Sequence, residues 1–118
     1  MTDPIEATGE YFAQGLNCSQ AMLAAFASQS GIPQRVALRI ASPLGGGIAR
    51  QGQVCGAVTG ALMALGLQRG SDTPQAKEET YQIAGEFIRR FKETYGTILC
   101  RELIGYDIST PDGLDVAR

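Results

Sequence analysis

The sequence predicts an all-α fold, a single domain over residues 1–118 built as a bundle of about five or six helices. Three observations carry this. Capping residues and glycine stops punctuate the chain from end to end. No segment alternates apolar and polar positions among strand-forming residues, the pattern of a half-buried strand. The longest periodic stretch, residues 81–95, repeats its apolar positions at i, i+3, i+4 and i+7, as one face of a helix does. A chain of 118 residues is enough for one core, and no repeat, low-complexity tract or linker divides it.

The first helix takes Asp3 as N-cap, Pro4 at its first position and Gly15 as its stop. Asn17 caps the second, with Gln20 three residues on as in a capping box; Met22, Leu23 and Phe26 give it an apolar face, and Gly31 ends it. Pro33 starts the third, with Val36 and Ile40 one turn apart, and "SPLGGG" breaks it. The fourth is expected from about Gln51 to Leu67, with Gly70 as its stop. Thr73-Pro74 opens the fifth and longest, whose stripe of Tyr81, Ala84, Phe87, Ile88, Phe91 and Tyr95 is expected to face the core opposite charged Glu86, Arg89, Arg90, Lys92 and Glu93. Gly96 stops it; Thr97 caps a short sixth that Gly105 ends. In the remaining segment, 106–118, Thr110-Pro111 looks like a further helix start cut short at Arg118.

Composition excludes whole classes of chemistry. With no histidine, imidazole bases, Ser-His-Asp triads and histidine metal ligands are absent. A net charge of −2, from 10 basic and 12 acidic residues interspersed, offers no stripe for nucleic acid. "AVTGALMALGL" is about half of the roughly 20 residues a membrane span needs. The acidic start "MTDPIEATGE" lacks the apolar stretch of a secretory signal. These features read as a cytoplasmic protein that does not span a membrane, in a compartment where thiols are kept reduced.

What remains is sulfur. Cys18, Cys55 and Cys100 all fall at or near expected helix starts, where free N–H groups and the macrodipole favour a thiolate. An odd count in a short chain argues against a purely structural disulfide framework. Gly56 and Gly60 form a smooth strip beside Cys55, suited to close packing of a second helix and to bringing another cysteine within disulfide reach. The three cysteines are therefore expected to converge on one site. The stretch "LGGGIARQG" reads as a tight connection between helices; an anion cradle from Gly45, Gly46, Gly47 and Arg50 is the alternative. It has neither the lysine of a P-loop nor a preceding strand.

"NCSQAML", "GGGIARQGQVCGAVTGALMALGL" and "FKETYGTILCRELIG" resemble the C_GCAxxG_C_C family, small proteins named for their cysteine pattern. The resemblance runs from about Asn17 to Gly105 and places the family's first cysteine on Cys18, its CGAxxG cysteine on Cys55 and its third on Cys100. The fourth has no counterpart before Arg118, which leaves a shortened chain or a reduced site as the two readings. The family implies a redox role, an unidentified redox partner protein and a link to transporters.

The leading expectation is thus thiol–disulfide exchange or redox sensing, with Cys55 attacking and Cys18 or Cys100 resolving. A metal, Fe–S or haem site through Cys18, Cys55 and Cys100 is the alternative, weakened by the lack of CxxC spacing. A helical interaction module with packing cysteines is the third, and a homo-oligomer is open in each case.

Overall fold

The computed structural model describes residues 4–70 and 72–105, and they form six α-helices and no strand. These are α1 (Pro4–Ala13), α2 (Cys18–Ala27), α3 (Gln34–Ala41), α4 (Gly56–Arg69), α5 (Lys77–Tyr95) and α6 (Cys100–Ile104), with single 3-10 turns at Ser28–Ser30, Ser42–Leu44 and Pro74–Ala76. The expected Asp3 cap and the start at Thr110-Pro111 lie outside the described residues.

α2 is the hub, packed against α1, α3 and α4. Its buried residues are small: Ser19, Ala21, Ala24, Ala25 and Ala27, with Leu23 the one large apolar side chain fully inside. Met22 and Phe26, expected beside Leu23, are only half-buried. Alanine on several faces lets three helices approach one axis. α3 likewise buries Ala37 and Ala41 and turns Val36 and Ile40 outward, at 38% and 54% exposure. The apolar pair one turn apart in the sequence thus lies on the outer face of α3. A small side chain allows close approach, so alanine wins the inner positions although valine and isoleucine would bury more apolar area.

α4 runs alongside α2 over Gly56, Val58, Gly60 and Ala64, all buried. A β-carbon at Gly60 would fall 2.7 Å from Cβ of Met22 and 2.9 Å from the carbonyl of Ser19. The helix begins five residues later than expected, at Gly56, because the chain before it takes a different course, described below.

α5 departs furthest from expectation. It buries no residue fully, and Tyr81 and Tyr95 stand 63% and 61% exposed. Its principal partner is α4, across an apolar groove of about 530 Å³ lined by Met22, Phe26, Ala61, Leu65, Ile83 and Phe87. The inward edge is therefore Ile83 with Phe87, the residue of the expected stripe that lines the groove, while Ala84, Ile88 and Phe91 are half-buried and the two tyrosines face outward. The outer face is held by exposed ion pairs of Arg89 with Glu86 and Glu93 and of Arg90 with Glu86, which hold the Glu86 carboxyl down to about 2. Because Phe87 is half-buried, Phe87→Ala should cost about 1–2 kcal/mol, well below the 3–5 of a core phenylalanine. Denaturant titration measures it; a loss above about 3 kcal/mol would mean that α5 is seated in the core.

Candidate thiol site

Each cysteine is placed by a different local device. Cys18 opens α2 behind a reciprocal capping box. The Gln20 N–H donates to Asn17 Oδ1 (2.8 Å), and the Asn17 N–H donates to Gln20 Oε1 (3.2 Å). The same two side chains reach across to α3: Asn17 Nδ2 donates to the Ser42 carbonyl (3.1 Å) and Gln20 Nε2 to that of Leu38 (3.0 Å). Ser19, fully buried, accepts from Thr59 Oγ1 of α4 (3.3 Å), so the first turn of α2 is pinned on both sides. Sequence reasoning passed over Ser19, since a serine after a cysteine carries no signal of burial.

Cys55 is the N-cap of α4, with φ −57° and ψ 138°; its carbonyl accepts from Val58 (2.9 Å) and Thr59 (3.0 Å) while its side chain caps nothing. Before it lies the least ordinary backbone of the molecule. Residues 46–50 are all left-handed, with φ of 63°, 72°, 64°, 51° and 61°, and Gly52 follows at 71°. Three of these, Ile48, Ala49 and Arg50, carry side chains that make this region unfavourable by about 1–2 kcal/mol each. Hydrogen bonds reaching back along the chain offset that, among them Ala49 N–H to Pro43 (2.8 Å), Arg50 N–H to Gly45 (3.0 Å) and Gln53 N–H to Gly47 (2.8 Å). This left-handed turn is why α4 cannot start at Gln51.

The turn bears on the anion reading too. The N–H groups of residues 48–53 all donate to the chain's own carbonyls. Gly45, Gly46 and exposed Arg50 border a shallow hollow with Asn17 and Ser42. Gly47 instead serves packing, since a β-carbon there would lie 2.6 Å from the Gln53 nitrogen and 2.7 Å from Cβ of Cys100.

Cys100 opens α6, three residues after Thr97, whose hydroxyl accepts the Leu99 N–H (3.1 Å) and so shapes the approach without capping the helix itself. The starts of α4 and α6 are joined backbone to backbone. Val54 and Leu99 form an isolated antiparallel bridge, the Cys55 N–H donates to Ile98 (2.7 Å), and the Cys100 N–H donates to Gln53 (2.6 Å). On the other side, a β-carbon on Gly56 would fall 2.7 Å from the Ser19 nitrogen and 2.9 Å from Cβ of Cys18. The glycine next to Cys55 thus lets Cys18 close in.

The three sulfurs are free thiols that feel one another. Burial raises the Cys18 thiol above its usual range, and the charges on Cys55 and Cys100 raise it further. Cys100 is raised by burial and then by Cys55. At both positions desolvation and like charge outweigh the helix start expected to favour the thiolate. Among the described residues no group of three or more cysteine and carboxylate side chains is placed to hold a metal ion together.

Raised thiols have a consequence for stability. The unfolded chain loses these protons first as pH rises, so their stabilisation is full below about 8.5–9 and fades as pH climbs through the higher folded values. The denaturation midpoint of the reduced protein should therefore fall as pH rises past about 9, and Cys18→Ala should flatten that fall. A profile identical in the two proteins would contradict it.

A family model described as "Putative redox-active protein (C_GCAxxG_C_C)" matches residues 16–116. The chain belongs to this family. The match takes in all three cysteines, the left-handed turn and the bridge between the starts of α4 and α6. No curated protein and no solved structure matches the chain. None of its described helices is long and apolar enough to cross a membrane.

Proposed function

We propose that this member of the redox-active family carries out thiol–disulfide exchange, with Cys55 attacking and Cys18 resolving. The observation that supports it is the coupling of three free cysteines from three helix starts, 37 and 45 positions apart in sequence. Cys55, partly exposed at its N-cap position, is open to an incoming sulfur; Cys100 is buried. The Cys55 thiolate attacks one sulfur of a disulfide on a partner protein, breaking the S–S bond and releasing the other sulfur as a thiolate that takes up a proton. The Cys18 thiolate then attacks the Cys55 sulfur of the mixed disulfide, forming Cys18–Cys55 and releasing the second partner thiol. Two thiols are oxidised, one disulfide is reduced, and the protons lost by Cys55 and Cys18 end on the product thiols. Burial first, and then the charges on Cys55 and Cys100, hold the Cys18 thiol above its usual range; forming the mixed disulfide removes the Cys55 contribution and leaves that of burial.

The same pair would report the redox poise of a reducing cytoplasm as a sensor does, and the transporter link implied by the family is one setting for it. The test is a count of alkylatable thiols by mass spectrometry across a redox titration, with metal analysis on the same sample. The expected result is a fall from three thiols to one in a single two-electron step. Three thiols at every potential would overturn the reading.

A further inference from the structure

We infer that α5 is the interface of an antiparallel homodimer. The apolar stripe has the spacing of a coiled-coil seam, with Tyr81, Ile88 and Tyr95 every seven residues and Ala84 and Phe91 between them. Among the described residues nothing closes over it: Tyr81 and Tyr95 are mostly exposed and the other three only half-buried. Such a repeat on a helix that buries no residue fully is a pattern whose partner lies outside the described residues.

A second copy fits on three counts. Gly85 stands mid-helix, exposed, with no atom within 4 Å of where its β-carbon would be. Glycine there weakens an isolated helix relative to alanine, and no contact among the described residues requires it. In an antiparallel pair that sets Tyr81 against Phe91 and Ala84 against Ile88 of the other copy, Gly85 faces its own equivalent beside the two-fold axis. There a missing side chain lets two backbones close up.

The charges agree with the same register. Glu78 and Lys92 lie on the Gly85 edge, and antiparallel pairing brings each Glu78 to the other copy's Lys92, twice by symmetry. Both are exposed, and neither has a salt-bridge partner among the described residues. The exposed parts of the four tyrosines in two copies supply about half of the roughly 1,000 Å² that a specific interface needs. Ile88, Phe91 and the stems of Glu78 and Lys92 supply the rest.

The test is molar mass by light scattering and sedimentation on the full chain in excess reductant, across a roughly hundredfold concentration range, so that no intermolecular disulfide contributes. A reversible dimer is expected. Glu78→Lys should raise its dissociation constant about tenfold, and Glu78→Lys with Lys92→Glu should restore it. Gly85→Leu, which the monomer accommodates freely, should abolish the dimer while helicity is retained. A monomer throughout would overturn the inference, as would a dimer indifferent to Gly85→Leu. A dimer that the double charge exchange fails to restore would overturn the antiparallel register.

Discussion

Gly47→Ala should destabilise the protein by about 2–5 kcal/mol, a large part of the 5–15 that a domain of this size possesses. Two independent effects add. The residue sits at φ 72°, where an alanine is unfavourable by about 1–2 kcal/mol. Its β-carbon would also fall under 3 Å from the nitrogen and oxygen of Gln53 and from Cβ of Cys100, and overpacking of this kind costs about 1–3 kcal/mol. None of the three obstacles is the far end of a flexible side chain. Two are backbone atoms, and the third is fixed by the start of α6. The control is Gly9→Ala in α1, where nothing lies within 4 Å of the added carbon; it should be neutral or raise stability by up to roughly 1 kcal/mol. Urea titration of the reduced proteins compares them. A Gly47→Ala loss under about 0.5 kcal/mol would mean that residues 46–50 do not adopt the left-handed course.

Cys55→Ser is the second large effect, on chemistry rather than on folding. The serine hydroxyl is not ionised near neutral pH and does not attack disulfides, so oxidation by a small aromatic disulfide should cease and all remaining thiols should stay alkylatable. Cys18→Ser should behave differently: Cys55 still attacks, and a mixed disulfide accumulates because the resolving sulfur is gone. Cys100→Ser should keep both steps, with a modest loss of stability at a buried position. Single-turnover kinetics with mass spectrometry of the trapped species separates the three. A Cys55→Ser protein that is oxidised as fast as its parent would remove Cys55 from the role of nucleophile.

Some of this architecture was legible in the residues alone. The Asn17–Gln20 capping box reads directly, because both partners lie within one turn and their chemistry is local. So do the left-handed stops at Gly15, Gly31, Gly96 and Gly105. The orientation of α3 did not, since Ala37 and Ala41 carry almost no hydropathy contrast, while Val36 and Ile40 carry a great deal and point outward. The start of α4 was misplaced for another reason. Ile48, Ala49 and Arg50 are ordinary helix residues, and only the three preceding glycines hinted that the chain turns left-handed there. At the candidate site, cysteines near helix starts could be read from caps and glycines, but the effect of burial on Cys18 and Cys100 could not. Desolvation depends on Gly56 admitting α2 and on Val54 meeting Leu99, contacts between segments far apart in the chain.

That last contact sets an order of assembly. Val54 and Leu99 are 45 residues apart, so the bridge is a long-range closure like the packing of α2 on α4, and such closures slow folding. During synthesis at about 5–20 residues per second, Cys100 follows Cys55 out of the ribosome by roughly 2–9 s. In that interval α2 and the first turns of α4 are already available, and Cys18 can approach Cys55 across Gly56 before α6 is made. The newborn chain therefore passes through a stage in which Cys18 and Cys55 are both present before Leu99 and Cys100 arrive to pair with the residues ahead of α4.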